Sequence, residues 1–132
     1  MGGPANNLEI ARSTCRLSNA EGQEPPFLAP EVVLEEFPNL LTPLGKRRDL
    51  PAALQGVERD KKIMSLQIYK IKQELADQDR VALEVGWAGT LAVRFGSIPA
   101  GGQLKAFFAM FLEFREGKIV RQRNYDCFEV WE

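Results

Sequence analysis

The sequence has no histidine and only two cysteines, Cys15 and Cys127. Without histidine, the Ser-His-Asp and Cys-His catalytic arrangements are excluded, and a transition-metal site loses its commonest ligand. The two cysteines lie far apart in the chain, which is neither a disulfide framework nor a zinc-ligand spacing. We therefore expect no metal and no cofactor. Any acid–base chemistry must use carboxylates, tyrosine, lysine or water.

An excess of one charge and long apolar runs are also missing. The chain carries 17 lysines and arginines against 18 aspartates and glutamates, a net charge of −1. No basic excess is available to displace counterions from phosphates, so we expect no nucleic-acid binding. No apolar run approaches the roughly twenty residues that cross a bilayer. The N-terminal "MGGPANNLEIARS" also lacks the pattern of a secretory signal. We expect a cytoplasmic protein without membrane contact.

The remaining composition is that of an ordinary globular protein. Hydrophobic residues make up 45% and charged residues 27% of the 132 positions. A chain of this length can bury a sizeable core of its own. We expect a single domain over residues 1–132.

The first half of the chain predicts two helices around a short strand. Apolar residues recur at helical spacing from Asn7 to about Ala20, before the polar stretch "NAEGQEPP". A β-rich run follows from Val32 to Phe37. "LLTPLGKRR", residues 40–48, reads as a loop whose basic end is solvated or, as the alternative, binds an acidic group of a substrate. Asp49 is a candidate N-cap for a helix that runs to about Met64.

The second half predicts strands joined by short turns. The strands are Ser65–Ala76, Arg80–Phe95, Gln103–Arg115 and Lys118–Phe128, separated by "DQD", "GSIPAGG" and "EG". Helices followed by an antiparallel meander predict an α+β fold. We expect a curved, mostly antiparallel sheet wrapped around the N-terminal helices as a cone-shaped α+β barrel, with alternate side chains lining its concave face.

Three segments, in this order, resemble the nuclear-transport-factor-two-like superfamily. They are "FLAPEVVLEEFPN", "DRVALEVGW" and "FLEFREGKIVRQRNYDCF". The superfamily includes ketosteroid isomerases, limonene epoxide hydrolases and SnoaL-like polyketide cyclases. The resemblance implies a cone with a deep apolar pocket and a homodimer formed through the outer sheet face. It does not define the function, because this fold carries several unrelated chemistries.

Two carboxylates are the candidate catalytic residues. By resemblance, Glu36 falls where ketosteroid isomerases carry their general base, and Asp126 is the nearest match to a carboxylate near the last strand of SnoaL-like cyclases. Desolvation raises the pKa of a carboxyl group at the mouth of an apolar pocket, which suits proton abstraction near neutral pH. The alternatives are that Glu36 is solvated at a strand end and that Asp126 bonds a backbone amide.

The sequence departs from its better-known relatives at their other catalytic positions. Ketosteroid isomerases place a tyrosine on the first helix, where Arg12 stands here, and a carboxylic acid at about the position of Met110. Epoxide hydrolases set a water with an Asp, Arg, Asp arrangement. Here Val85 and Trp87 occupy its arginine and aspartate positions, and Asn124 occupies that of the base aspartate. These departures argue against both chemistries.

Period-two alternation places further candidates on the same sheet face as the two carboxylates. The predicted ligand-binding residues are Leu34, Val85, Trp87, Phe108, Met110, Gln122 and Asn124. Aromatic and methionine residues at this spacing are equally typical of a core. Arg121, Arg123 and Tyr125 alternate with the polar residues of "RQRNYD" and are expected on the outer face.

We therefore expect a small-molecule pocket protein of the SnoaL-like type that binds an apolar ligand. It would act as a cofactor-independent isomerase or cyclase, with a carboxylate base and a hydrophobic carbonyl substrate. Two alternatives stay open. One is a non-catalytic binder of an apolar metabolite or an interaction subunit, and the other is an epoxide-hydrolase-like enzyme with an altered site.

Overall fold

Two helices and six strands make up the computed structural model, which describes residues 4–19 and 27–129. In chain order the elements are α1 (Pro4–Asn19), β1 (Leu28–Glu36), β2 (Lys46–Arg48), α2 (Leu50–Ile63), β3 (Met64–Asp77), β4 (Arg80–Leu91), β5 (Gln103–Arg115) and β6 (Lys118–Phe128). Both predicted helices and the predicted strands are present. The end expected for the first helix at Ala20 lies outside the described residues.

The six strands form one curved sheet in the order β2-β1-β6-β5-β4-β3. Neighbouring strands are antiparallel except β1 and β6, which pair in parallel. Within the described residues the sheet does not close on itself. Two helices with a curved, mostly antiparallel sheet confirm the predicted α+β class. A parallel pair cannot be joined by a tight turn. Here the connection from β1 to β6 contains all the intervening elements, from β2 to β5.

The hydrophobic core lies between the helices and one face of the sheet, here called the inner face. Alternate residues of β4 and β5 are buried along the whole of both strands. They pack with Ala11 and Cys15 of α1. The β5–β6 turn contains Glu116 and Gly117, both with positive φ, as a two-residue hairpin turn of this twist requires. Short turns thus set which side chains of these strands face inward.

The predicted loop over residues 40–48 is partly wrong, because its basic end forms strand β2. Arg48 pairs with Leu34, and Lys46 pairs with Glu36. Lysine and arginine are weak strand formers, but an edge strand has to satisfy its backbone on one side alone, and charged side chains are tolerated there. Gly45 makes the turn possible with a φ of 72°, where a Cβ atom would lie 2.8 Å from the carbonyl oxygen of Glu36.

Helix α2 confirms the predicted N-cap. The Asp49 carboxylate accepts a hydrogen bond of 3.0 Å from the Ala52 N–H. The predicted strand end at Phe95 is wrong, since β4 ends at Leu91. The chain turns earlier because the Leu91 N–H donates to the Gly102 carbonyl and the Gly101 N–H donates to the Leu91 carbonyl.

Candidate functional site

The nine side chains predicted for the site all belong to the inner face. They come from β1 (Leu34, Glu36), β4 (Val85, Trp87), β5 (Phe108, Met110) and β6 (Gln122, Asn124, Asp126). The parallel pairing of β1 and β6 places Glu36 opposite Asn124. On the other side of β6, Asn124 pairs with Met110 and Asp126 pairs with Phe108. The polar residues therefore adjoin the apolar ones across β5 and β6.

The apolar members lie in the core of the protein. Val85, Trp87, Phe108 and Met110 are all buried and belong to the core cluster. Each of these residues therefore has a structural role that is independent of any ligand. This burial is also what the wall of an apolar pocket requires, so it does not distinguish the two roles.

Four rings on this face form what we call the aromatic cluster: Tyr69, Trp87, Phe108 and Phe128. Trp87 stacks on Phe108 at 5.5 Å between centroids and meets Phe128 edge-on at 5.8 Å. Tyr69 meets Phe108 edge-on at 6.2 Å. Both geometries are favourable for aromatic pairs. Tyr69 and Phe128 are not among the predicted site residues, and both occupy inward positions of their strands.

The two predicted catalytic carboxylates are brought together. Burial, the negative charge of Glu36 and a hydrogen bond with the Glu36 side chain raise the pKa of Asp126 to about 7. A hydrogen bond between two carboxyl groups requires a proton on one of them. The Oδ1 atom of Asp126 is buried and receives no hydrogen bond from any described residue. We call Glu36 and Asp126 the carboxyl pair. Oδ1 therefore does not form the hydrogen bond to a backbone amide that the alternative interpretation of Asp126 predicts.

The segment that follows β1 supports the carboxyl pair. The Thr42 hydroxyl donates a long hydrogen bond of 3.5 Å to Oε2 of Glu36. Asn39 holds Thr42 in place, because its Oδ1 accepts from the Leu41 N–H at 3.0 Å and the Thr42 N–H at 3.1 Å. Asparagine commonly organises turns in this way. Glu36 therefore has a hydroxyl donor fixed by the local backbone.

The two amides beside the pair bind each other. Gln122 Nε2 donates to Asn124 Oδ1 at 3.1 Å. This bond orients Asn124 so that its Nδ2 group is turned away from Gln122 and remains a donor. Asn124 therefore keeps a hydrogen-bond donor in Nδ2, and as an amide it cannot take up a proton.

A second polar group lies at the Trp87 end of the aromatic cluster. Gln67, on β3, accepts hydrogen bonds of 3.1 Å at its Oε1 from both Trp87 Nε1 and the Tyr69 hydroxyl. No pattern in the sequence indicates this contact. A β-bulge between Ile71 and Gln73 shifts the pairing of β3 with β4, so counting back from the hairpin turn gives the wrong partner for Trp87.

Arg12 does not point to a catalytic role. Its guanidinium forms a two-pronged ion pair with Glu74 on β3, in which Nε donates to Oε2 at 2.9 Å and Nη2 donates to Oε1. These hydrogen bonds raise the pKa of Arg12 and lower the pKa of Glu74. The residue near the isomerases' tyrosine position therefore joins α1 to the sheet.

An open groove of about 250 Å³ lies where β1 leads into β2. It is lined by residues 35–38 and 44–47, and Glu36 is its one lining residue among the nine predicted for the site. The described residues contain no group of three side chains suited to hold a metal ion. Within the same residues, no helix is long and apolar enough to span a bilayer.

Known proteins resemble this chain in structure. No protein-family model and no curated protein sequence matches it. AclR from Streptomyces galilaeus, a proposed hydroxylase, is 17% identical with a TM-score of 0.77, over 93% of this chain and 79% of that one. IdmH from Streptomyces antibioticus, a proposed polyketide cyclase, is 18% identical with a TM-score of 0.76, over 91% of each chain.

An epoxide hydrolase from M. tuberculosis of the LEH-like type is 16% identical with a TM-score of 0.70, over 96% of this chain and 84% of that one. Proteins with different activities thus share this architecture, so the likeness defines the fold and leaves the chemistry open. The chain has the nuclear-transport-factor-two-like fold, the fold of SnoaL-like polyketide cyclases and ketosteroid-isomerase-like proteins.

Proposed function

We propose that this protein is a cofactor-independent isomerase or cyclase of the SnoaL-like type that moves a proton on a hydrophobic carbonyl compound. The observation that carries the proposal is the carboxyl pair. The raised pKa of Asp126, about 7, lets the pair hold or release a proton near neutral pH, where a general acid–base group is most effective. The two side chains are in contact, so we assign the role of base to Glu36 and Asp126 together.

The reaction begins when the ionised pair takes a proton from the carbon next to a carbonyl group. The electrons of the broken C–H bond move to the carbonyl oxygen and leave an enolate. In an isomerase the pair returns the proton to another carbon of the conjugated system. In a cyclase the enolate carbon attacks a second carbonyl carbon, and the new alkoxide takes the proton. We expect Asn124 Nδ2 to donate a hydrogen bond to a ligand beside the pair.

The apolar composition of the inner face favours a hydrophobic substrate. We expect a flat apolar molecule to lie against the aromatic cluster. Phe108 connects the two parts of the site, because it stacks on Trp87 and pairs with Asp126. A substrate that lies on this cluster would bring its carbonyl group toward the carboxyl pair.

The test is exchange of the α-protons of 2-tetralone in D₂O, followed by NMR. Wild-type protein should accelerate the exchange, and Asp126→Asn and Glu36→Gln should lower the rate by about 10²-fold or more, the usual contribution of a general base. Asp79→Asn, an exposed carboxylate in the β3–β4 turn, is the matched control and should exchange like wild type. Equal rates in all four proteins would end this proposal.

The leading alternative is a non-catalytic binder of an apolar metabolite. The ion pair of Arg12 with Glu74 and the amide at Asn124 favour it, since both remove groups that catalyse reactions in relatives. Such a protein would bind 2-tetralone without exchange. We do not propose the epoxide-hydrolase alternative, because Val85 and Trp87 are buried apolar residues where that chemistry needs charged ones.

We also propose that the protein forms a homodimer through the outer sheet face. Three rings are in contact there, Phe37, Phe111 and Tyr125, and Phe107 is exposed on the same face of β5. We call these four residues the outer aromatic patch. Phe37 stacks on Tyr125 at 4.4 Å, and Phe111 meets Tyr125 edge-on at 5.7 Å. Phe107 is 52% exposed and Tyr125 is 40% exposed. Clustered exposed rings are typical of interaction surfaces.

A further inference from the structure

Arg48 is a half-buried cation on the inner face of the sheet. It is the last residue of β2 and pairs with Leu34 of β1, so both side chains lie on the same face. Gly56 of α2 packs against its guanidinium, since a Cβ atom at that glycine would lie 3.6 Å from Cζ of Arg48. The guanidinium is thus held between the sheet and α2.

The Nε atom of Arg48 has an unmet hydrogen bond. It is buried, and no described group accepts a hydrogen bond from it. The charge of Arg48 acts on Asp60 of α2, but Asp60 is exposed to solvent, and among the described side chains none forms an ion pair with Arg48. A buried donor without an acceptor is costly, and the cost is larger when the donor is charged. An acceptor at this position would therefore be bound with a clear gain in free energy.

Lys46 adds a second positive charge on the same face, because side chains two residues apart in a strand point the same way. It pairs with Glu36, and both residues line the open groove of about 250 Å³ between β1 and β2. The two cations belong to the basic end of "LLTPLGKRR", for which the sequence leaves binding of an acidic group as the alternative to solvation. An unmet donor and a cavity thus lie along the same short strand.

An ionised carboxylate is the acceptor that suits this environment. Nε and one terminal nitrogen of a guanidinium form a planar fork that matches the two oxygens of a carboxylate. Hydrogen bonds between two charged groups are also about twice as strong as neutral ones. A neutral carbonyl oxygen would meet the hydrogen-bond need but not the positive charge.

We propose that Arg48 Nε binds an ionised carboxylate of the substrate, with Lys46 as a second and more exposed cation. This inference rests on the proposed function, because it adds an acidic group to the hydrophobic carbonyl substrate of that function. Arg48 lies two residues, about 7 Å, along β2 from the partner of Glu36. The substrate class is therefore a flat apolar carbonyl compound whose acid group is set apart from the reacting carbon. Arg48 determines specificity and takes no part in proton transfer.

Two probes of the same shape test this assignment. 2-Naphthoate and 2-naphthamide share one flat ring system and differ in the charge of the attached group, since the acid is ionised at about pH 7 and above. Wild-type protein should bind naphthoate about 10-fold or more tightly than naphthamide, the value of a hydrogen bond to a charged group. The affinities are measured by calorimetric titration at low salt, and the ratio of the two dissociation constants is the readout.

Arg48→Gln is the informative variant, because it removes the charge and the Nε donor. It should keep its affinity for naphthamide and lose the preference for naphthoate. Arg48→Met, which is neutral and has no N–H in its side chain, is a second variant with the same expected loss. Arg47→Gln is the matched control. Arg47 is the preceding residue, is exposed, and pairs with Glu35 on the outer face, so its loss removes the same charge and should leave the preference intact.

The outcomes separate this proposal from the proposed function. Equal binding of both probes by wild type, or binding of neither, would overturn the role of Arg48. The role is overturned as well if both Arg48 variants keep the preference for naphthoate, or if Arg47→Gln loses it to the same extent. The exchange of 2-tetralone protons decides the proposed function by itself, because 2-tetralone carries no acid group. Exchange by wild type without a preference for naphthoate would leave the carboxyl pair standing and remove Arg48.

Discussion

Asp126 and Glu36 share a hydrogen bond on the inner face of the sheet, although 89 positions separate them in the sequence. The parallel pairing of β1 with β6 creates this contact by placing Glu36 opposite Asn124, two residues before Asp126. Two carboxyl groups this close cannot both ionise without repulsion. Burial and the nearby charge of Glu36 therefore let Asp126 keep its proton to a higher pH than it would in water, that is, they raise its pKa.

The first prediction concerns the pH dependence of stability. The pKa of Asp126 is about 7 in the folded protein against an ordinary value of 3.8. Between these two values the unfolded chain releases a proton that the folded chain keeps, so the free energy of unfolding falls as the pH rises. The loss is complete above about pH 7 and amounts to at most about 4 kcal/mol.

Asp126→Asn should remove this fall in the free energy of unfolding with rising pH. We expect its melting temperature to gain on that of wild type between about pH 5 and about pH 8, as measured by scanning calorimetry. Asp79→Asn serves as the control, and its melting temperature should follow that of wild type at both pH values. Parallel curves for wild type and Asp126→Asn would show that Asp126 is not the proton-binding group.

The second prediction concerns Thr42. Its hydroxyl donates to Glu36 Oε2 and so favours a proton on Asp126 rather than on Glu36. In Thr42→Val part of this proton should pass from Asp126 to Glu36, so the ¹³C change of the Asp126 carboxyl near pH 7 should become smaller. The titration is followed by ¹³C NMR of the labelled carboxyl groups. The charges of Lys46, Arg48 and Asp60, which also lie near Glu36, are not changed by the substitution.

Thr42→Ser keeps the hydroxyl and is the matched control, so its titration should coincide with that of wild type. If Thr42→Ser and Thr42→Val shift the titration equally, the hydroxyl has no electrostatic role. In that case Thr42 contributes through the methyl group or the backbone alone.

The third prediction concerns the glycine under Trp87. A Cβ atom at Gly89 would lie 2.6 Å from two atoms of the Trp87 ring and 2.9 Å from Met64 Sδ. Gly89→Ala must therefore displace the ring and break its hydrogen bond to Gln67. We expect a loss of about 1–3 kcal/mol in the free energy of unfolding, the usual cost of overpacking. The emission of Trp87 should change as well.

Gly86→Ala is the control on the same strand. Its Cβ atom would meet the end of the Lys72 side chain at 2.9 Å, and a flexible lysine can move aside at little cost. Urea denaturation of the two variants should therefore give clearly different midpoints. Equal midpoints would mean that Trp87 has room to move.

The sequence predicted most strands because local signals define them. The two-residue turn of Glu116 and Gly117 defines the β5–β6 hairpin. The alternation of side chains along each strand then determines which residues face inward. Non-local pairing has no such signal. The contact of Glu36 with Asp126 depends on the parallel register of two distant strands. The contact of Gln67 with Trp87 depends on the bulge between Ile71 and Gln73. The resemblance named both carboxylates, but their contact with each other is seen in the structure alone.

The last prediction concerns the proposed dimer. Phe111 lies within the outer aromatic patch, in edge contact with Tyr125 and beneath the guanidinium of Arg123 at 5.8 Å. Phe111→Glu would place a charge at an apolar contact and should convert the dimer to monomer, as measured by sedimentation at tens of micromolar, a range in which weak dimers dissociate. Wild type should also melt at a temperature that rises with protein concentration, and the variant should not.

Leu75→Glu is the control for the dimer test, because Leu75 is 74% exposed and lies on β3 outside the patch. It should remain dimeric and exchange the α-protons of 2-tetralone like wild type. Phe111→Glu should keep this exchange too, since Phe111 alternates with the inward residues Met110 and Leu112 and lies on the opposite face from the aromatic cluster. A monomeric wild type, or a dimeric Phe111→Glu, would mean that this face does not join two copies. Exposure of these rings would then need another partner, because a contiguous aromatic patch is costly to leave in water.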